Sequence, residues 1–268
     1  MGGRGGSSHR ATAGGGGFGS VQTFLQNAYG AAHASAILAL LQRAPSYIQS
    51  MWQDFAASFR ADPHARRNDD DEAYYSPGND WVHLGINARS RAGSISTPYS
   101  VVFHEYGHMT DYLIARQKGM GRYLAYSDLY QGKDSSGKLI FRQGSEGLLG
   151  RTAKLELETR LQKIQSEHRG YDRAMSIQSL LSEARSKYSM RDRSDISDMM
   201  EGAGIGIAYP LGSGHGLDYW SSRGSSKEIF AEITSAEAAH PGSLKAIKEY
   251  FPQTYSVYMD MVKELKKR

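Results

Sequence analysis

Pro98-Tyr-Ser-Val-Val-Phe-His104-Glu105-Tyr106-Gly107-His108-Met-Thr-Asp111 decides how this chain is read. Thr97 and Pro98 make a good N-cap and first residue for a helix that runs to about Gln117, where Gly119 and Gly121 end it. The four-residue offset puts the imidazoles of His104 and His108 on one helix face, one turn apart, so that both reach one ion. Zinc accepts imidazole nitrogen and carboxylate oxygen, and a catalytic site keeps its fourth position for water. Glu105, beside them, is then the general base on that water, a pairing suited to attack on a peptide carbonyl. A chance HExxH is the bland alternative. Apolar Val101, Val102 and Phe103 ahead of the motif, and a strand-like Trp81–Ile86 some twenty residues upstream, favour the functional reading.

Two histidines leave a third ligand to find. Asp111 and Ile114 stand where HExxHxxGxxH would need glycine and histidine, which excludes that clan. Without cysteine, thiolate ligands and a thiol nucleophile are also excluded. The best remaining stretch is Lys227-Glu228-Ile229-Phe230-Ala231-Glu232, which puts two glutamates on one helix face. Glu228 as ligand and Glu232 behind a ligand imidazole is one assignment; a capping box Ser225-x-x-Glu228 is the structural alternative. His215 and Glu232 stay open as alternative third ligands. Asp111, one turn beyond His108, is expected to accept that ring's second N–H. Tyr219 either turns its phenol to a developing oxyanion or anchors packing.

Composition sets the outer limits. At 268 residues, with 40% hydrophobic and 22% charged residues, the chain suits one large or two small globular domains. No apolar run nears the roughly 20 residues of a membrane span. A formal charge of +4, spread rather than clustered, argues against a nucleic-acid partner despite a pI near 9.1. The N-terminus lacks the apolar run of a secretory signal, leaving export by another route open.

Residues 1–20, with GGRGGSS and GGGG, read as a flexible tail or linker, native or a cut from a larger polypeptide. A helical segment follows over 21–78, with helices expected at about Val21–Gln42 and Ser46–Phe59. Trp81–Ile86 reads as a strand, Lys138–Arg142 as another, and helices are expected near 151–167, 176–188 and 195–200. GAGIGIAYPLGSGHG is neither phosphate-binding pattern and reads as a mobile loop beside the cleft. Two helices, about Ser226–Ala239 and Gly242–Lys266, close the chain.

HEYGHMTD over residues 104–111 and Glu228-Ile-Phe-Ala-Glu232 resemble the zinc helix and the later glutamate helix of the anthrax lethal factor-like metallopeptidases, which include the secreted Pro-Pro endopeptidases. The resemblance implies a gluzincin: an α+β, mostly helical zincin-like domain over 79–268, with a small mixed sheet and a helical insertion around 120–200. It implies one Zn2+ per chain on His104, His108 and Glu228, an upstream tyrosine assisting Glu105, and a protein or peptide substrate. The stretch from Ser194 to Trp220 is more loosely similar to metallopeptidase-like domains of phage minor head proteins. That similarity implies a virion-associated or catalytically idle structural module as the competing class.

Overall fold

In a computed structural model the chain is described over residues 18–65, 72–90, 93, 96–221 and 224–265. Most of the proposed tail, residues 1–17, lies outside them. Three helices come first: Phe18–Tyr29 (α1), Ala31–Arg43 (α2) and Ser46–Phe55 (α3). A hairpin of Ala73–Ser76 (β1) and Trp81–Leu84 (β2) leads through one turn, Ile86–Arg89 (α4), into the long helix Ser100–Gln117 (α5). Tyr126–Leu129 (α6), Tyr130–Lys133 (β3) and Leu139–Phe141 (β4) follow, then Leu148–Glu167 (α7), Arg173–Lys187 (α8) and Ser194–Gly202 (α9). Leu217–Ser221 (α10), Ser225–Ala239 (α11), Pro241–Tyr250 (α12) and Pro252–Lys263 (α13) complete it. The class is α+β and mostly helical.

The sheet differs from the expected small mixed one. Among the described residues β1 pairs only with β2 and β3 only with β4, both antiparallel, and a single parallel bridge joins Ala61 to Val82. Ala73-Tyr-Tyr-Ser76 forms a strand, paired residue for residue with Trp81–Leu84, inside the segment 21–78 that is expected to be helical. The strand expected to reach Ile86 stops at Leu84, because the chain turns at Gly85 into α4.

Helix boundaries shift where one residue forbids continuation. The expected 21–42 helix breaks at Gly30, whose φ of 84° an L side chain rarely adopts. The expected 242–266 helix breaks before Pro252, which lacks an N–H and drives Phe251 out of helical geometry. Helix α5 starts later than Thr97–Pro98 suggests: Tyr99 caps it from a left-handed conformation, and Thr97 turns its hydroxyl to Ala239 O.

Helix α5 is the centre of the packing, buried from Val102 to Ala115 except at His104. On one side Tyr106 meets Phe24, Trp52 and Phe59 at ring-centroid distances of 5.5, 5.4 and 4.9 Å. Its hydroxyl shares a 2.6 Å hydrogen bond with that of Tyr29. Segment 21–78 and the remainder therefore share one apolar core, and residue 78 falls within the β1–β2 turn. On the opposite side α11 crosses α5 closely: a Cβ on Gly107 would come 3.2 Å from Ala231 Cα. Helices α7, α9, α12 and α13 surround α11, so that every one of its residues except Lys227 is buried.

Candidate metal centre

The close crossing at Gly107 brings the carboxylate of Glu228 over the α5 face that carries the two histidines. His104 Nε2 and His108 Nε2 lie 3.1 Å apart, and Glu228 Oε2 stands 3.7 and 3.1 Å from them. Nitrogen and oxygen ligands about 2.1 Å from a tetrahedral ion would be about 3.4 Å from one another. These three atoms are therefore spaced like three corners of such a site. Glu228 Oε2 is buried and makes no hydrogen bond, a costly state for a carboxylate oxygen unless a cation takes it. Among the described residues, this is the group that could hold a metal ion.

The capping alternative for Glu228 does not form. Ser225 Oγ donates to Glu146 Oε1 at 2.7 Å, and Gly224 precedes α11 without a side-chain cap. Glu228 Oε1 instead accepts from the Tyr219 hydroxyl. Although burial opposes ionisation, His108 and His104 hold the Glu228 carboxyl well below the usual range. Burial likewise opposes a charge on His104, yet Glu232, Glu228 and Glu105 around it raise its pKa well above the ordinary value. Glu232 Oε1 lies 3.6 Å from His104 Nδ1, where a carboxylate orients the ring. Burial pushes Glu232 upward, and Asp195 and Asp198 add to the rise.

Asp111 departs from its expected place. It does not serve His108: its two oxygens accept from Ser127 N and Oγ at 2.9 and 2.5 Å, satisfying an unpaired N–H in the first turn of α6. Complete burial pushes its pKa up to about 8. Asp128, next in α6, is the acid that neighbours the site, accepting Lys227 N at the start of α11. Burial raises its pKa to about 6.

A cleft of about 460 Å³ opens over the three-residue group and is lined by Glu105, His215, Tyr219, Tyr112 and Lys227. Its outer wall is Ala73–Tyr75 of β1 rather than the Trp81–Leu84 strand, which lies behind β1. Tyr75 hydrogen-bonds Asp80 and Arg116, and Arg116 grips Asp80 with both terminal nitrogens, so the hairpin is tied to the end of α5. A larger, more open groove of about 830 Å³ along α8 shares no residue with this cleft.

His215 lies outside the ligand group. Its Nδ1 is 2.9 Å from Asp198 Oδ1, and its ring stacks on Tyr219 with centroids 4.1 Å apart. Burial would lower its pKa, but Asp198 outweighs burial and lifts it to about 9. Glu201, one turn after Asp198 on α9, accepts from Tyr209 N, and from His215 N, Gly216 N and Trp220 Nε1 at 3.0 Å each. The glycine-rich stretch is thus docked rather than the mobile loop its composition suggests. At Gly214, φ is 142° and a Cβ would lie 2.6 Å from the Glu201 carboxylate, so glycine serves close approach there. Sequence reading passed over Asp198, Glu201 and Asp128; the available signal was the i, i+3 acid pair in Ser194–Gly202 just before the loop.

Comparison of this chain with family models, with curated proteins and with solved structures returned no match.

Proposed function

We propose that the chain is a zinc-dependent endopeptidase of the gluzincin type, with a zincin-like domain that hydrolyses a peptide bond in an extended protein segment. The observation that carries it is the convergence of His104, His108 and the unpartnered oxygen of Glu228 beneath a cleft that Glu105 also lines. Two imidazoles and a carboxylate, with no thiolate, suit a catalytic zinc that keeps an open position. Zinc bound there supplies Lewis acidity toward a carbonyl and acidifies water. Glu105 takes the proton of the attacking water and passes it to the leaving amine. Tyr219, whose hydroxyl donates to Glu228 at the cleft wall, releases that acceptor during the reaction and turns its one O–H to the developing oxyanion. Among the described residues the outer edge of β1 is unpaired, so an extended substrate adds along Ala73–Ser76. The motif resemblance at residues 104–111 and 228–232 points the same way.

The test is elemental zinc together with a peptide library. One zinc per chain and cleavage abolished in Glu105→Gln with zinc retained are expected. Zinc-loaded protein that cleaves no peptide, nor its own chain, would favour the idle structural module, such as a phage head-associated protein.

A further inference from the structure

Lys227 is the single residue of α11 that is not buried, and it opens onto the cleft immediately before Glu228. It makes no ion pair within 4 Å among the described residues. Asp128 accepts the backbone N–H of Lys227 and its charge also attracts the ammonium, as does that of Asp111, but neither carboxylate forms a contact ion pair with it. Of the other basic side chains that line the cleft, His215 is paired with Asp198, and His104 and His108 stand beside Glu228. Tyr75 spends its hydroxyl on Asp80 and Arg116. Among the described residues the Lys227 ammonium is left as the cation of this half-enclosed cleft without a contact ion pair, a setting in which an anion gains more than at an open surface.

We propose that Lys227 forms a carboxylate-binding subsite, so that the peptide taken by this cleft carries a carboxylate beside the bond placed over His104, His108 and Glu228. This rests on the reading of the cleft as a peptidase site. The carboxylate comes either from an Asp or Glu side chain or from the peptide C-terminus.

The experiment measures affinity and cleavage separately. Binding is measured by calorimetry on zinc-loaded Glu105→Gln protein, with peptide pairs that differ by Glu against Gln at one position, each with a free or an amidated C-terminus. A charge-assisted contact of this kind predicts about a tenfold preference for the acidic member, weakening as salt is raised. Lys227→Met brings the preference ratio to about one, and Lys227→Glu inverts it. A preference that follows the Glu side chain assigns the subsite to a side chain; one that amidation abolishes assigns it to the terminus. A ratio unchanged by Lys227→Met, or no acidic preference in the parent, overturns the proposal. If the acidic preference in binding is present but the zinc-loaded parent cleaves nothing, the peptidase reading fails while the subsite stands. If the parent cleaves peptides without acidic preference, the subsite fails alone.

Discussion

The two sides of the cleft are held by different physics. Its floor, α5 against α11, is a helix crossing in which a glycine meets an alanine and apolar side chains fill the space behind. Its inner wall, the stretch from Gly204 to Trp220, is held by a small set of side-chain hydrogen bonds, in which Asp198 and Glu201 accept N–H groups and Ser197, Arg185 and Arg193 hold Pro210–Ser213, with Ile205 and Leu211 as buried anchors. Packing spreads its energy over many contacts, whereas a hydrogen-bonded loop depends on a few acceptors. The histidines and Glu228 therefore belong to a unit as stable as the fold, and Tyr219 and His215 to one that can loosen by itself.

The largest effect is expected on the floor. Tyr106→Ala removes the ring around which Phe24, Trp52 and Phe59 pack, and should cost about 3–5 kcal/mol of stability. Denaturant titration reads this directly, and a cost below about 1 kcal/mol would mean that α1–α3 do not support α5. On the wall, Glu201→Gln replaces one accepting oxygen by an amide that meets N–H donors, at about 1–3 kcal/mol confined to the loop. Trp220 emission should shift to the red and turnover should fall, with zinc affinity changed by less than about threefold. An equal loss of zinc affinity would show that floor and wall are one unit.

Gly107→Ala sharpens the comparison because it touches only the floor. The added methyl pushes α11 from α5 by a few tenths of an ångström, while alanine favours the helix by about 1 kcal/mol over glycine. Zinc affinity should fall several-fold while global stability stays nearly level, checked by competition with a chelator and by thermal melting.

The smallest effect concerns the wall's charge. The folded pKa of His215, about 9, lies above its unfolded value of about 6.5. The Asp198–His215 pair thus stabilises fully below about pH 6.5, and that contribution is lost as pH rises through about 9. Asp198→Asn should move the His215 titration seen by NMR downward and flatten stability across that window. A titration that does not move would remove Asp198 as its cause.

The floor was the more legible half. The offset of His104 and His108 and the spacing of Glu228 and Glu232 are helix periodicities, visible in any register of the chain. Glu201 does its work by accepting N–H groups from a loop, and an acceptor for backbone donors leaves no trace in the donors' side chains. Counting turns along α5 puts Asp111 behind His108, but its partner, Ser127, comes from another element that sequence spacing does not locate. The breaks at Gly30 and Pro252 were legible and outweighed by hydrophobic periodicity running across them.

The most direct test of a metal centre on His104, His108 and Glu228 is a calorimetric zinc titration of the parent beside Glu228→Ala, Glu232→Ala and His215→Ala. One zinc per parent chain is expected, with affinity falling by orders of magnitude in Glu228→Ala, about 10 to 100-fold in Glu232→Ala, and little in His215→Ala. Tight stoichiometric zinc in Glu228→Ala, or its loss in His215→Ala, would contradict the assignment.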